Sequence, residues 1–170
     1  LPRGALQLVI GSTQDLLTHL GGQDALAFTG SGDTGTKLRG LSNVLERSTR
    51  VNVEADSLNA ARLAEGADDD TYAMFLRDVV KEMTQKTGQK CTATRRIFVP
   101  KDRIDEAQAA LVEALAATKV GNPALEEVRM GPLATKQQLD DFRAGITKLT
   151  AAGARVVHGS ATEVTPIGVP

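Results

Sequence analysis

The opening forty residues alternate apolar runs with polar, glycine-marked stretches, and that alternation is what most restricts the fold. Leu6–Ile10 is a short apolar run closed by Gly11, which predicts a buried strand. Ser12 stands where it would cap a helix over Gln14–Leu20, and Gly21–Gly22 would stop it. Ala25–Phe28 is a second apolar run, followed by the turn TGSGDTG and a short helix around Thr34–Leu41. Strand, helix, strand, glycine turn and helix in that order predict a parallel α/β sheet.

Downstream, Arg50–Glu54 alternates as a strand does, and Asn59–Leu63 is a further short strand. Thr71–Lys86 reads as an amphipathic helix whose apolar face is Ala73, Phe75, Leu76, Val79, Val80 and Met83, with Gly88 ending it. The acidic run Asp68–Asp70 before it reads as a solvated loop and helix cap. Arg95–Val99 is a strand closed by Pro100, Asp102 would cap a helix running to about Lys119, and Thr135–Ala152 is a third long helix. Arg155–Val157 is the last expected strand.

The 170 residues suffice for one ordinary domain with a core. Twenty Lys and Arg stand against 21 Asp and Glu, so no long-range pull toward nucleic acid or an anionic membrane is expected. Tryptophan is absent and aromatics make up 3%, which argues against a stacking platform for single strands. No apolar run approaches membrane-spanning length. One cysteine forms no internal disulfide, and with only the separated His19 and His158 there is no zinc pattern. The expectation is a cytoplasmic protein without metal. Because the chain begins without methionine and stops at TPIGVP with no element completed, it is expected to be an excerpt of a longer protein.

Three stretches are candidates for chemistry. In FTGSGDTG, Phe28–Gly35, the glycines Gly30 and Gly32 permit a tight turn and close backbone approach, and a helix begins directly after them. The stretch reads either as an ordinary strand–helix turn or as a phosphate cradle to which Ser31 adds a hydroxyl. Glu54, at the end of an apolar strand, reads either as a solvated carboxylate or as a desolvated one suited to general-base work. Cys91, in GQKC, lies between a helix and a strand. A free thiol titrates near pH 8.5 and needs a positive field or a base to become a good nucleophile. Lys90, Arg95 and Arg96 would supply such a field. The alternative is a buried small hydrophobe. On a strand, Arg95 and Arg96 must face opposite ways, and the inward one is expected to satisfy carbonyls or a carboxylate.

These stretches, in this order, resemble the aldehyde dehydrogenase superfamily. FTGSGDTG resembles its cofactor-loop pattern F-T-G-S-x-x-x-G. VEAD stands where E-L-G-G is usual, GQKC matches G-Q-x-C around the catalytic cysteine, and MGPLAT, Met130–Thr135, matches the M-G-P-x that follows. The departures are Asp56 and Ser57 in place of two glycines, and Lys86 in place of an asparagine common five residues before the cysteine. VEADSLNA with KTGQKCTATRR is similar to the branch of CoA-linked semialdehyde dehydrogenases of aromatic catabolism. That branch includes the dehydrogenase part of a bifunctional phenylacetate-degradation protein and a dehydrogenase of the benzoyl-CoA epoxide pathway.

The resemblance implies an α/β, aldehyde-dehydrogenase-like fold. Residues 1–54 would be the C-terminal part of a Rossmann-like dinucleotide domain, and residues 55–170 the N-terminal part of an α/β catalytic domain. It implies Cys91 as nucleophile, Glu54 as the base that activates water, and Gly30, Ser31 and Gly35 as the cofactor loop. NADP is the expected cofactor, with NAD as the alternative. The substrate would be a CoA-linked aldehyde and the intact protein a homo-oligomer. An asparagine of the oxyanion hole and a ribose-binding lysine would lie before Leu1, and a ribose-binding glutamate beyond Pro170. The excerpt alone is therefore expected to be inactive. Three other readings compete: a CoA-acylating enzyme, a non-catalytic folding or oligomerisation fragment, and a cysteine hydrolase, which no histidine context supports.

Overall fold

The computed structural model describes residues 1–169; Pro170, the last residue of the expected second domain, lies outside them. The chain divides between Asp56 and Ser57 into two compact units. Each is built on one pair of parallel strands.

In the first unit, β1 (Ala25–Gly30) pairs in parallel with β2 (Arg50–Ala55), Ala25 opposite Arg50 and Gly30 opposite Ala55. The crossover carries α1 (Gly32–Arg39) and α2 (Ser42–Glu46). Val44 of α2 is buried, and so is Thr49, whose hydroxyl donates to the Gly21 carbonyl at 3.0 Å. The Asn43 amide donates to the Leu17 and Leu20 carbonyls, tying the preceding loop to α2.

Two sequence expectations for this unit do not hold. Leu6–Ile10 forms no strand, and its side chains are exposed. No described strand pairs with the run, and without a ladder partner an apolar run cannot satisfy its backbone as a strand. The helix expected over Gln14–Leu20 shrinks to one tight turn, Leu16–His19. Gln14 has φ +44°, outside helical space, and Ser12 Oγ accepts only the nearby Gln14 N–H.

In the second unit, β3 (Asn59–Arg62) pairs in parallel with β4 (Thr94–Phe98). The connection is α3 (Asp69–Thr84), capped by Asp68, whose carboxylate accepts the Thr71 N–H at 2.8 Å. Leu63, Tyr72 and Ala107 form the core, with Phe75, Leu76 and Val99 packed against them. Two further helices follow, α4 (Ile104–Ala116) and α5 (Lys136–Ala151). Thr135 caps α5 by accepting the Gln138 N–H.

Asp102 does not cap α4. It lies in a short 3-10 turn, Lys101–Arg103, and Arg103 occupies the cap position with no side-chain bond. Arg103 instead stacks on the Tyr72 ring, 3.8 Å from its centre. Arg155–Val157 is not a strand, and Val156 and Val157 are about half exposed; three residues without a described neighbour make no ladder. No helix among the described residues is long and apolar enough to cross a membrane, and none of their His, Cys, Asp and Glu side chains group as metal ligands.

Candidate active site

In the first unit, Gly30 ends β1 and Ser31 caps α1. Ser31 Oγ accepts the Thr34 N–H and donates to Thr34 Oγ1, and its carbonyl accepts the Gly35 N–H at 2.9 Å. A Cβ on Gly30 would run into the Phe28 ring, and one on Gly35 into Val53 of β2. The turn therefore needs both glycines for close approach. Gly35 is what lets α1 lie directly on the sheet.

One N–H at the start of α1 is already held by a carboxylate. The Asp56 carboxylate accepts the Gly32 N–H at 2.9 Å. Asp56 itself has φ +46°, a conformation that suits the glycine usual there and that Asp tolerates better than most residues. A carboxylate at this point shows that the turn accepts negative charge, as the start of a helix does. Gly30 and Gly35 allow close backbone approach at this turn, and Ser31 places a hydroxyl beside the start of α1. Glu54 lies on β2 opposite Thr29 and is exposed. Of the two readings left open for this carboxylate, the solvated one matches, because β2 has only β1 beside it among the described strands.

In the second unit, α3 stops two residues earlier than its periodicity predicts. Lys86, Thr87 and Gly88 have φ of +51°, +58° and +68°, so the chain leaves helical space at once. For a β-branched residue such as Thr87 this is a strained conformation. It is held from outside: Thr87 Oγ1 donates to the Gly131 carbonyl at 3.1 Å, and Arg95 donates to the Gly88 carbonyl at 2.7 Å.

Cys91 follows in a tight turn, Lys90–Ala93, closed by the Ala93 N–H on the Lys90 carbonyl at 3.1 Å. The thiol is exposed, while Ala93 is fully buried and anchors the turn. The Lys90–Cys91 peptide is trans. Since its carbonyl faces Ala93, its N–H, that of Cys91, points the opposite way. That N–H has no acceptor among the described residues. A donor left free beside an exposed thiol is what an oxyanion forming on the neighbouring carbon requires.

The positive field expected around Cys91 is largely committed elsewhere. Lys90 pairs with Glu82 at 2.6 Å and donates to Gln85. Neither Arg95 nor Arg96 is buried, as the expected inward residue would be. Asn59 pairs with Thr94 but Ala60 with Arg96, so β4 bulges at Arg95 and both side chains are exposed. Arg95 holds the Gly88 carbonyl and Arg96 the Leu58 carbonyl at 2.6 Å. The expectation that such arginines satisfy carbonyls holds for both.

The GQKC and MGPLAT stretches, about forty residues apart, are joined. Besides the Thr87–Gly131 bond, the Ala134 N–H donates to Gln89 Oε1 at 3.0 Å, and Gln89 Nε2 donates to Gln138 at 2.6 Å. Two residues without a role in the sequence reading stand beside the two turns: in the first unit Asp56, on the α1 turn, and in the second Asn59, whose amide bonds the Cys91 carbonyl. Both lie inside VEADSLNA, and that position was their only signal.

The aldehyde dehydrogenase family profile matches residues 1–167. The chain is 43% identical over 169 residues to 3,4-dehydroadipyl-CoA semialdehyde dehydrogenase of Aromatoleum evansii, covering 98% of this chain and 33% of that protein. It is 33% identical over 163 residues to alpha-ketoglutaric semialdehyde dehydrogenase of Bacillus subtilis, covering 94% of this chain and 32% of that protein. The chain thus spans about a third of the length of these curated relatives. Among solved structures, aldehyde dehydrogenase C of Pseudomonas syringae, a cysteine-to-alanine variant with NAD+ and octanal, is 27% identical with a TM-score of 0.75, covering 83% of this chain and 28% of that one. An aldehyde dehydrogenase variant from Bacillus cereus is 28% identical with a TM-score of 0.72, covering 84% and 28%. With the family profile spanning both units and a relative 43% identical over almost the whole chain, the chain belongs to the aldehyde dehydrogenase family.

Proposed function

We propose that this chain carries the nucleophile and part of the cofactor site of an NADP-dependent dehydrogenase that oxidises a CoA-linked aliphatic semialdehyde to the acid. The observation that carries the reading is the turn at Cys91: an exposed thiol whose own N–H is free. The 43% identical relative, named for a CoA-linked semialdehyde, supports the substrate class. NADP over NAD rests on likeness to that branch; the Pseudomonas syringae relative was solved with NAD+.

In this reading the Cys91 thiolate adds to the aldehyde carbon and forms a thiohemiacetal. The Cys91 N–H donates to the oxygen as it gains charge, a contribution of about 3 kcal/mol for donors of this kind. The dinucleotide, when bound, supplies the hydride acceptor for the oxidation. Gly30 and Gly35 shape its loop, and Ser31 offers a hydroxyl beside the start of α1. Glu54 takes a proton from the water that releases the acyl group from Cys91, completing a two-step covalent route. Residues 1–54 are assigned to the dinucleotide domain and 55–170 to the catalytic domain. The intact protein is assigned to the cytoplasm as a homo-oligomer.

The test is NADP and NAD reduction by the intact protein with a CoA-linked semialdehyde, beside Cys91→Ala and Glu54→Gln, with and without free CoA. The expected result is NADP reduction that needs Cys91 and ignores free CoA. Dependence on free CoA would replace hydrolysis by acyl transfer to CoA. Activity that survives in Cys91→Ala would refute the nucleophile.

A further inference from the structure

Cys91 is exposed, on a turn between a strained segment and a bulged strand, yet one atom of its backbone is firmly held. Among the described residues, the only side chain bonded to the Cys91 backbone is Asn59. Its Nδ2 donates to the Cys91 carbonyl at 2.5 Å and to the Ala93 carbonyl at 3.4 Å. Asn59 is the first residue of β3 and pairs with Thr94, the first of β4. The parallel ladder therefore ends at this pair, and the Asn59 amide carries it onward to two carbonyls with its two N–H groups. The strand register shifts at the same point.

We propose that Asn59 is a positioning residue for the nucleophile: by fixing the carbonyl of Cys91 it sets the direction in which the thiol faces relative to the Cys91 N–H. The inference rests on the reading of Cys91 as nucleophile given above. The logic is geometric. The Lys90 carbonyl, bonded to Ala93, orients the peptide before Cys91. Asn59 orients the peptide after it. With both neighbouring peptide planes fixed, the Cα–Cβ bond of Cys91 has one direction. Remove the amide, and the second plane is free to rotate in water. No other described side chain takes its place. A reacting atom displaced by about 1 Å can cost a hundredfold in rate.

The exposure of Cys91 also separates positioning from folding. The Cys91 carbonyl lies on an exposed residue, where water replaces the lost donor, while the longer bond to the carbonyl of buried Ala93 is the part whose loss thermal melting reads. Asn59→Asp keeps the shape, removes both N–H donors and sets a carboxylate against two carbonyl oxygens. Asn59→Ala removes the group altogether. Asn59→Ser retains one hydroxyl donor with shorter reach.

In the intact protein, the three variants are compared with wild type in single-turnover hydride transfer, aldehyde KM, cofactor dissociation constant, thermal melting and the rate of Cys91 alkylation by iodoacetamide. The expected result is a single-turnover rate at least tenfold lower in Asn59→Asp and Asn59→Ala, with Asn59→Ser between them and wild type. KM and the cofactor constant stay within twofold, and the alkylation rate changes by at least threefold. A folded Asn59→Ala protein with wild-type turnover and alkylation would overturn the proposal. If Asn59→Asp fails to fold, Asn59→Ala and Asn59→Ser decide it. Alkylation needs no catalysis, so it reads the effect of Asn59 even if Cys91→Ala remains active and the nucleophile reading itself fails.

Discussion

Asp56 and Lys86 both occupy left-handed backbone where glycine would be at ease, and the two have different consequences. Asp56, at φ +46°, spends its carboxylate on the Gly32 N–H at the start of α1. If NADP binds at this turn, that negative charge opposes its phosphates. Asn accepts the same backbone and the same hydrogen bond without the charge. Asp56→Asn in the intact protein is expected to tighten NADPH binding about two- to fivefold at low salt, the range of a single charge near a helix start. Fluorescence titration at low and high salt measures it, with the gain shrinking as salt screens the charge. Unchanged affinity at low salt would remove Asp56 from the cofactor's surroundings. Lys86, at φ +51°, uses only its carbonyl, which accepts the Gln89 N–H at 3.0 Å; no hydrogen bond or ion pair is made by its side chain among the described residues. Lys86→Gly is expected to raise stability by roughly 0.5–1 kcal/mol, the left-handed strain relieved less the extra entropy of glycine. Thermal melting checks this. Thr87→Gly is expected to give no such gain, because it also loses the bond to Gly131.

At the scale of elements, one charged group resting on an aromatic ring ties α3 to the start of α4, beside the apolar contact of Tyr72 and Ala107. Arg103 stacks on Tyr72, pairs with Glu106 through two bonds of 3.0 and 3.2 Å, and reaches Asp69 at 3.7 Å. The Arg103 hydrogen bonds hold the Glu106 carboxyl below its ordinary value, and the Thr71 bonds do the same for the cap Asp68. A depressed carboxyl pKa contributes stability above the unfolded value, here about 4.5 and 3.8, and loses it as pH falls through the folded one. Burial, and then the Glu106 charge, push the Tyr72 phenol upward, so its contribution is lost only as pH rises past 10. Melting temperature is therefore expected to fall on acidification below about pH 5, and Glu106→Gln is expected to flatten part of that slope while lowering the plateau at neutral pH. An acid limb identical in Glu106→Gln would show that the pair does not set it. These elements also show what the sequence makes legible. The helix α3 was readable because its apolar residues recur at helical spacing over sixteen positions and Asp68 marks its start. The strands β1 and β2 were readable because a glycine turn separates them with a helix between. Leu6–Ile10 and Arg155–Val157 have strand composition, but a strand is a relation between two segments, and no partner for either is described. The bulge at Arg95 and the reach of Asn59 across thirty-two residues to Cys91 are tertiary facts with no local periodicity, so neither the exposure of both Arg95 and Arg96 nor the support of the cysteine turn was readable. Gly30, Ser31 and Gly35 were readable as a turn, because glycine spacing encodes backbone approach directly.

At the scale of the whole molecule, surface decides. A folded monomer of this length exposes about 8,000 Å², whereas this chain exposes 12911 Å². Its buried hydrophobic residues are few: Val44, Leu63, Tyr72, Val79, Ala93 and Ala107 among those described. Large apolar side chains stand in water instead, including Leu8, Ile10, Phe98, Ile104, Phe142 and Leu149. Phe98 and Ile104 flank an apolar groove that continues to Ile146 and Leu149 of α5. Apolar surface on this scale is normally covered by other protein, and the curated relatives have about three times this chain's length with which to cover it. The 170 residues produced by themselves are therefore expected to associate, to bind an apolar dye and to melt without a sharp transition. They are also expected to reduce no NADP with a CoA-linked semialdehyde. Size-exclusion chromatography with light scattering, dye fluorescence and an NADPH absorbance assay on the isolated chain, beside the intact protein, measure all four. A sharply melting monomer that reduces NADP would mean that the exposed apolar faces need no cover and that the two units hold a complete site. An associating, silent chain beside an active intact protein would show that the Cys91 turn becomes a catalyst only with the rest of the protein, which covers those faces and supplies the remaining site residues.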